Sequence, residues 1–393
     1  MENEPGLVLV IGAGLGGLTA ALALRRVGRP VEIFEQADEL GDVGAGITMY
    51  PNATRVLEHL GLGSAMEARA VIPETGGARH WQTGELLRHG PTGQAVRERY
   101  GAPQYFMHRA DLHEILVEAV QQAGGAIHLG HTFERFELRD DGVVAHFANG
   151  AAVAGAALVG ADGIRSAVRA CLFGPDAPRF TGKVAWRGLV PMDRIGEDHR
   201  FPTSCLWMGP DHAFLRYPVR GGAVMNYVAH AAQGAWAEES WKLQTSVDEV
   251  LAEFAGWDPA VLDVIRATPP ELCFKWALFD RDPLPEWGRG RVTLLGDAAH
   301  PALPFLGQGA GMAIEDGMVL ARCLASDDDV EGALRRYERA RLARCHHVQL
   351  ESRANGDRFF EPDPKRRYAD GSAQRAAEQE QALRYYDATT VPL

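Results

Sequence analysis

Three short stretches of this chain place residues that can hold a phosphorylated, hydroxyl-bearing ligand and stabilise negative charge on it. The first contains Gly12, Gly14 and Gly17 at GxGxxG spacing, trailed by Glu35 and Gln36. The first glycine suits a tight turn, the second lets backbone approach a pyrophosphate, and the third lets a helix pack close to a strand. Amides opening that helix, at Leu15 and Gly16, attract phosphate through unpaired N–H groups and the helix dipole. The second stretch is "GADGIRS", carrying Asp162, and the third is "GDAAHPALPFLGQGAGMAIEDG", carrying Asp297. Each of the two acids ends an apolar run.

GxGxxG is shared by FAD and NAD sites, and the late stretch discriminates between them. An NAD-only site needs no second strand-end acid so far downstream. FAD does, because its ribityl chain and ring system extend beyond the ADP half. Asp297 can accept a hydrogen bond from a ribityl hydroxyl. Gly309, Ala310 and Gly311 open a helix whose amides can face the flavin edge where charge collects on reduction. Read singly, each stretch is also compatible with a strand–turn–helix unit that only turns the chain.

The elements that must position these residues are legible around them. "LVLVIGAGLGGLTAALALRRVGRPVEIFEQ" reads as strand, glycine turn, helix and strand, with Leu15, Leu18 and Leu22 on an apolar face and Gly28 as C-cap. Residues 41–62 read as a glycine-rich loop and a helix with Pro51 in its first turn and Gly61 closing it. Residues 108–125 read as an amphipathic helix with Asp111 and Glu114 at capping-box spacing. From 181 to 232, short aromatic and β-branched runs broken by Gly and Pro predict an antiparallel sheet, joined by strands from 78–89. Two helices are expected over 247–268, after which 272–285 returns to the cofactor-binding part. A helix over 331–360 carries Arg335, Arg336, Arg339, Arg341 and Arg344 and reads as solvated. His346 and His347 diverge on it and do not read as metal ligands. A last helix and tail are expected over 372–393.

The ordered triple GAGLGG, GADGIRS and GDAAHPALPFLGQGAGMAIEDG resembles the three signatures of class A, single-component FAD-dependent aromatic hydroxylases. The likeness is strongest to the salicylate hydroxylase, 6-hydroxynicotinate and 3-hydroxybenzoate monooxygenase group, over roughly residues 5–350. It implies an α/β fold with a FAD-binding Rossmann-like (GR2-type) domain discontinuous over 1–75, 104–178 and 280–330. An inserted antiparallel substrate-binding sheet is implied over 76–103 and 179–279, and a C-terminal helical segment over 331–393. FAD contacts are expected from Gly12, Gly14, Leu15, Gly16, Gly17, Glu35, Gln36, Gly46, Thr48, Arg109, Asp162, Asp297, Gly309, Ala310 and Gly311.

The chemistry implied is that of a flavoprotein monooxygenase. NADH or NADPH acts as a transient reductant, O2 forms a flavin hydroperoxide, and one oxygen atom passes to a small phenolic acid, with or without decarboxylation. The chain carries one GxGxxG, which suits a visiting nicotinamide. Tyr217, Arg187 and His212 are the catalytic candidates, with Arg187 pairing a substrate carboxylate. Trp207, Met225, Leu303, Pro304 and Phe305 are the pocket candidates. Some relatives carry histidines where this chain has Ala213, Thr48 and Phe305, so the acid–base residue stays open and the pocket is expected to be more apolar. The alternative is a monooxygenase of the same fold acting on a secondary-metabolite or quinone-pathway arene.

Composition narrows the partners. At 393 residues, 46% hydrophobic and 23% charged, the chain has the make-up of a soluble globular protein of one or two domains. A net charge of −12 argues against nucleic acid or an anionic membrane as partner. Five scattered cysteines without a CxxC pair suggest reduced thiols and no metal site. "MENEPGLVLVIGAG" does not read as a signal peptide, and a cytoplasmic monomer or homodimer is expected.

Overall fold

The computed structural model describes residues 6–41, 44–74, 76–91, 93–202, 204–233, 243–325, 329–360, 378 and 381–393. Its first sheet is parallel at the centre. Val8–Ile11 pairs with Val31–Phe34 on one side and Ala157–Gly160 on the other, extended by Ala126–His128 and Val292–Leu294. An antiparallel edge strand, Gly288–Arg289, closes it. The central strands are fully buried apolar runs, as expected where helices cover both faces.

The Leu15–Arg26 helix leaves the tip of the first strand through Gly12, whose φ is +107°. A Cβ on Gly12 would stand 2.5 Å from the Ala161 carbonyl oxygen, and one on Gly17 would stand 2.1 Å from the Gly12 carbonyl oxygen. Neither position accepts a larger residue without moving backbone. This helix is buried on all sides from Leu15 to Leu24, because it is sandwiched between the sheet and the Gly309–Ala325 helix. The two helices meet through small residues: a Cβ on Gly16 would stand 3.0 Å from the Ala313 Cβ, and one on Gly317 would stand 2.7 Å from the Ala20 nitrogen. That close contact sets the two helix N-termini side by side.

The second sheet has eight strands. Its core is Cys273–Asp280, Arg179–Pro191, Val224–Ala232, His212–Val219 and Cys205–Gly209, antiparallel throughout. Leu243–Gln244 lies at one edge, and Gly77–His80 with Leu86–His89 at the other. The sheet expected over 181–232 and 78–89 is present, and 273–280 is one of its inner strands rather than the start of a return. Helices Val247–Glu253 and Pro259–Arg266 cover one face, packing Val250, Phe254, Val261 and Ile265 on Trp186, Phe214 and Tyr227. The other face is turned toward the first sheet. A three-stranded meander over Phe133–Leu138, Val143–Phe147 and Ala152–Gly155 packs outside.

Two local expectations are corrected. The Arg109–Gln122 helix has His108 at its N-cap with no side-chain cap hydrogen bond. Asp111 instead faces Arg220 at 3.6 Å and Glu114 pairs with Arg69, so no capping box forms. The Val330–Phe359 helix is not solvated along its whole length. Arg341 is fully buried, with Nε 2.6 Å from Asp316 and NH2 2.7 Å from Glu315, and Arg344 donates twice to Glu315. Residues 372–377, 379 and 380 of the last expected helix lie outside the described residues, while 381–385 are helical. Among the described residues no helix is long and apolar enough to cross a membrane.

Candidate active site

A cavity of about 630 Å³ lies between the two sheets. One end is built by helix N-termini. Gly14 is the N-cap of Leu15–Arg26, and a Cβ added to it would meet nothing within 4 Å. Leu15, Gly16, Gly309 and Ala310 line the same end, so the unpaired amides of two helices look into it. Asp297 stands beside the second of them, its Oδ1 4.0 Å from where a Gly309 Cβ would lie. Its carboxylate is enclosed by protein yet open to the cavity. Burial raises its pKa, opposed by the charges of His300 and Arg109.

The loop that holds Asp297 is anchored from beneath. Asp316 accepts hydrogen bonds from the Gly296 amide at 3.0 Å, His300 Nε2 at 2.6 Å and Arg341 Nε at 2.6 Å. Burial alone would raise the Asp316 pKa, but the His300 and Arg341 charges lower it to about 2. Burial disfavours a charged His300, yet Cys345 and Asp316 together raise its pKa well above the ordinary value. The late motif's last acid, Asp316, and its histidine therefore form a buried ion-pair network that fixes the geometry of the first acid.

Most of the predicted cofactor residues converge here. Gly14, Leu15, Gly16, Gly46, Thr48, Arg109, Asp297, Gly309 and Ala310 all line the cavity. Glu35 lies in an adjoining recess of about 150 Å³ with Arg109 and His113, where it accepts the amides of Ala13 at 2.8 Å and Ala37 at 3.0 Å. Gly12 and Gly17 shape the turn without lining the cavity. Three residues stand elsewhere. Gln36 is on the surface. Gly311 packs toward Asn52 and Ala53. Asp162 turns its Oδ2 to the Val168 amide at 3.1 Å, supporting the Ala167–Phe173 helix; burial raises its pKa. Its neighbours Ala161 and Gly163 line the cavity in its stead.

The other end is the open face of the second sheet. Side chains alternate along a strand, and the register decides which are inside. Arg187 is paired with Val228, which is paired on its far side with Leu215; Tyr217 is two residues beyond Leu215. All four line the cavity, with Leu206, His230, Trp276 and Leu278. The Arg187 guanidinium lies 4.2 Å over the Trp276 ring. Tyr217 is buried, stacked on Phe106 at 4.7 Å and hydrogen-bonded with Thr48. Burial raises its pKa, so its phenol keeps the proton at neutral pH.

The same alternation removes three candidates. Trp207 is paired with Phe214, and Met225 with Pro218; both sit in the core under the helices. Trp207 Nε1 donates to Asp258 at 2.8 Å. His212 is on that face too, 2.7 Å from Glu253 and edge-on to Phe254 and Trp257. Their places are taken by Leu206, Val228 and His230, one residue away or one strand over. Leu303, Pro304 and Phe305 form the wall opposite the sheet. The long helix holds them through Ser352 Oγ to the Leu303 carbonyl and Asn355 Nδ2 to the Phe305 carbonyl, at 2.5 and 2.6 Å.

The sequence reading missed the contribution of that helix. His347, Glu351, Asn355 and Phe359 all line the cavity. They are four residues apart, one turn each, and that periodicity was the available signal. Arg384 and Leu383 from the C-terminal segment also reach the cavity.

The residues present suit FAD: two helix N-termini for phosphate and flavin-edge charge, a glycine with open space above it, and a carboxylate facing inward. The comparisons agree. The FAD binding domain family matches residues 7–352. The chain is 42% identical over 374 residues to 3-amino-4-hydroxybenzoate 2-monooxygenase PtmB3 of Streptomyces platensis, covering 95% of this chain and 93% of that one. It is 40% identical over 354 residues to 3-hydroxybenzoate 6-hydroxylase of Polaromonas naphthalenivorans (strain CJ2), covering 89% and 87%. The structure of Klebsiella pneumoniae HpxO complexed with FAD and uric acid superposes with a TM-score of 0.83 at 30% identity, covering 97% of this chain and 93% of that one.

Proposed function

This chain belongs to the FAD binding domain family, within its flavoprotein aromatic hydroxylases, and we propose that it hydroxylates a small hydroxybenzoate-type acid with NADH or NADPH and O2. The observation that carries the reading is one cavity with two unlike ends. Asp297 and the Gly309 and Ala310 amides stand at one end, and Arg187 on Trp276 with Tyr217 stands at the other.

When bound, FAD supplies the redox chemistry and the activation of oxygen. The protein's part follows from its residues. Leu15 and Gly16 receive the pyrophosphate on their amides, and Asp297 accepts from the ribityl hydroxyls. The Gly309 and Ala310 amides stabilise negative charge at the ring edge. On this reading residues 1–75, 104–178 and 280–330 make up the FAD-binding domain, 76–103 and 179–279 the substrate-binding sheet domain, and 331–393 the C-terminal helical segment. Arg187 pairs with the substrate carboxylate; a guanidinium held on an indole keeps its fork oriented for two hydrogen bonds. Tyr217 and Thr48 offer neutral hydroxyls to the ring's substituents. Leu215, Val228, Leu303 and Phe305 exclude water from the reacting centre, which limits the loss of oxygen as peroxide.

The test is a panel of benzoates, hydroxybenzoates and aminohydroxybenzoates scored for stimulated NADH and NADPH oxidation by the FAD-loaded enzyme, with products identified by mass. A product heavier by one oxygen atom from at least one hydroxybenzoate is expected. Absence of stimulation and product across the panel would overturn the reading.

A further inference from the structure

We infer that His230 is the residue that reads the substrate's ring hydroxyl, accepting its hydrogen bond while Arg187 holds the carboxylate. The inference rests on the aromatic-acid reading above and assigns within it a residue that the sequence patterns do not point to.

Four observations carry it. First, His230 is 5% exposed, lines the cavity, and neither ring nitrogen has a hydrogen-bond partner among the described residues. Buried polar groups are almost always paired, and one left open is costly. A pair of open imidazole nitrogens facing a cavity therefore marks a place where a ligand completes the bonding.

Second, the register places it. His230 is paired with Ala185 on one side and Ala213 on the other. Arg187 and Val228 form the adjacent pair, so Arg187 and His230 are diagonal neighbours on one face, roughly 7–8 Å apart. Both side chains line the cavity, so a small arene can turn a carboxylate toward one and a hydroxyl toward the other. Tyr217 lies farther along the same face, beyond Leu215.

Third, the imidazole has small neighbours on both sides, since His230 is paired across the ladder with Ala185 on one strand and Ala213 on the other. Its ring lies 5.3 Å from that of Phe305, tilted by 45°, so the pocket's aromatic wall fixes its plane.

Fourth, its charge state suits acceptance. Burial, with the Arg187 cation beside it, lowers the His230 pKa to about 3. The ring is thus neutral, with one nitrogen accepting and the other donating. The accepting nitrogen takes a ring O–H and raises electron density on the arene; the donating one can serve a second polar substituent.

The experiment measures dissociation constants on the FAD-loaded enzyme from the change in flavin absorbance, using two matched pairs. These are 3-amino-4-hydroxybenzoate with 3-aminobenzoate, and 3-hydroxybenzoate with benzoate. Wild type is expected to prefer the hydroxylated member of at least one pair by about 10-fold or more. His230→Phe is expected to erase that preference while binding the deoxy member as before, and to melt no lower than wild type, since it removes an unpaired buried polar group. His230→Gln, which keeps an acceptor and a donor, is expected to restore part of it. Should His230→Phe not fold, His230→Leu carries the same comparison. Two results overturn this assignment alone: a folded variant that retains the full preference, or a wild type that binds both members of each pair equally. Failure of wild type to bind any arene would overturn the aromatic-acid reading as well.

Discussion

A Cβ on Gly317 would stand 2.7 Å from the amide nitrogen of Ala20, so the helix that follows the first glycine fingerprint and the helix that follows the last touch along their backbones. Both begin at the cavity, and this contact is what brings their N-termini together. Gly317→Val would force them apart. It is expected to cost about 1–3 kcal/mol in stability through overpacking and to lower retention of FAD on gel filtration, although residue 317 is remote from the cavity. Undiminished flavin content in a folded Gly317→Val protein would refute the link between this packing and the cofactor site.

Asp297 is open to the cavity, whereas Asp316 is fully buried and holds Gly296, His300 and Arg341. Asp297→Ala is expected to weaken FAD binding by about 10–100-fold, the worth of a hydrogen bond to a charged group, measured by reconstituting apoprotein. The apoprotein's own pH dependence has a definite sign. The folded pKa of Asp297 is raised by burial, so the folded state binds the proton more tightly and stability from this group falls as pH rises through that range. Asp297→Asn should remove the fall. Apo melting curves of the two proteins between pH 4 and 8, as on the order of the carboxylate range, decide it.

Asp316 works in the opposite sense. Its folded pKa is lowered to about 2, below the unfolded value, so its contribution is present above the unfolded pKa and is lost as pH falls toward 2. His300, raised by its partners, contributes stability below its unfolded pKa that is lost as pH rises through the folded one. Asp316→Asn leaves Arg341 and His300 buried with reduced compensation and is expected to cost roughly 3–5 kcal/mol. Urea unfolding at neutral pH measures the cost, and the variant's acid transition should be shallower than that of wild type.

Arg187 and His212 were both candidates for substrate contact, and the fold separates them. Arg187→Leu is expected to raise KM for a carboxylate-bearing arene by about 10–100-fold, with Arg187→Lys recovering only part because it lacks the planar fork. His212→Ala should leave KM unchanged and cost roughly 0.5–1 kcal/mol, since it breaks a half-buried pair with Glu253. Steady-state kinetics of the two variants side by side test the assignment; a KM effect from His212→Ala would contradict the sheet register.

Sequence alone determined the features that depend on neighbours along the chain. Gly12 and Gly17 mark a turn because only glycine tolerates that approach. Strand-ending acids, apolar periodicity and the ordered motif triple were enough for the α/β fold, the flavin and the class of chemistry. What only the tertiary structure decided depends on partners distant in sequence. Whether Asp162 faces a ligand or a helix end, whether Arg341 meets water or two buried carboxylates, and whether Met225 or His230 looks into the cavity are all set by long-range packing. The last case shows the reason most plainly. A strand has two faces, one step along it exchanges them, and the composition of this sheet, apolar and aromatic on both, carries no mark of which face will be covered by helices and which left open to a ligand.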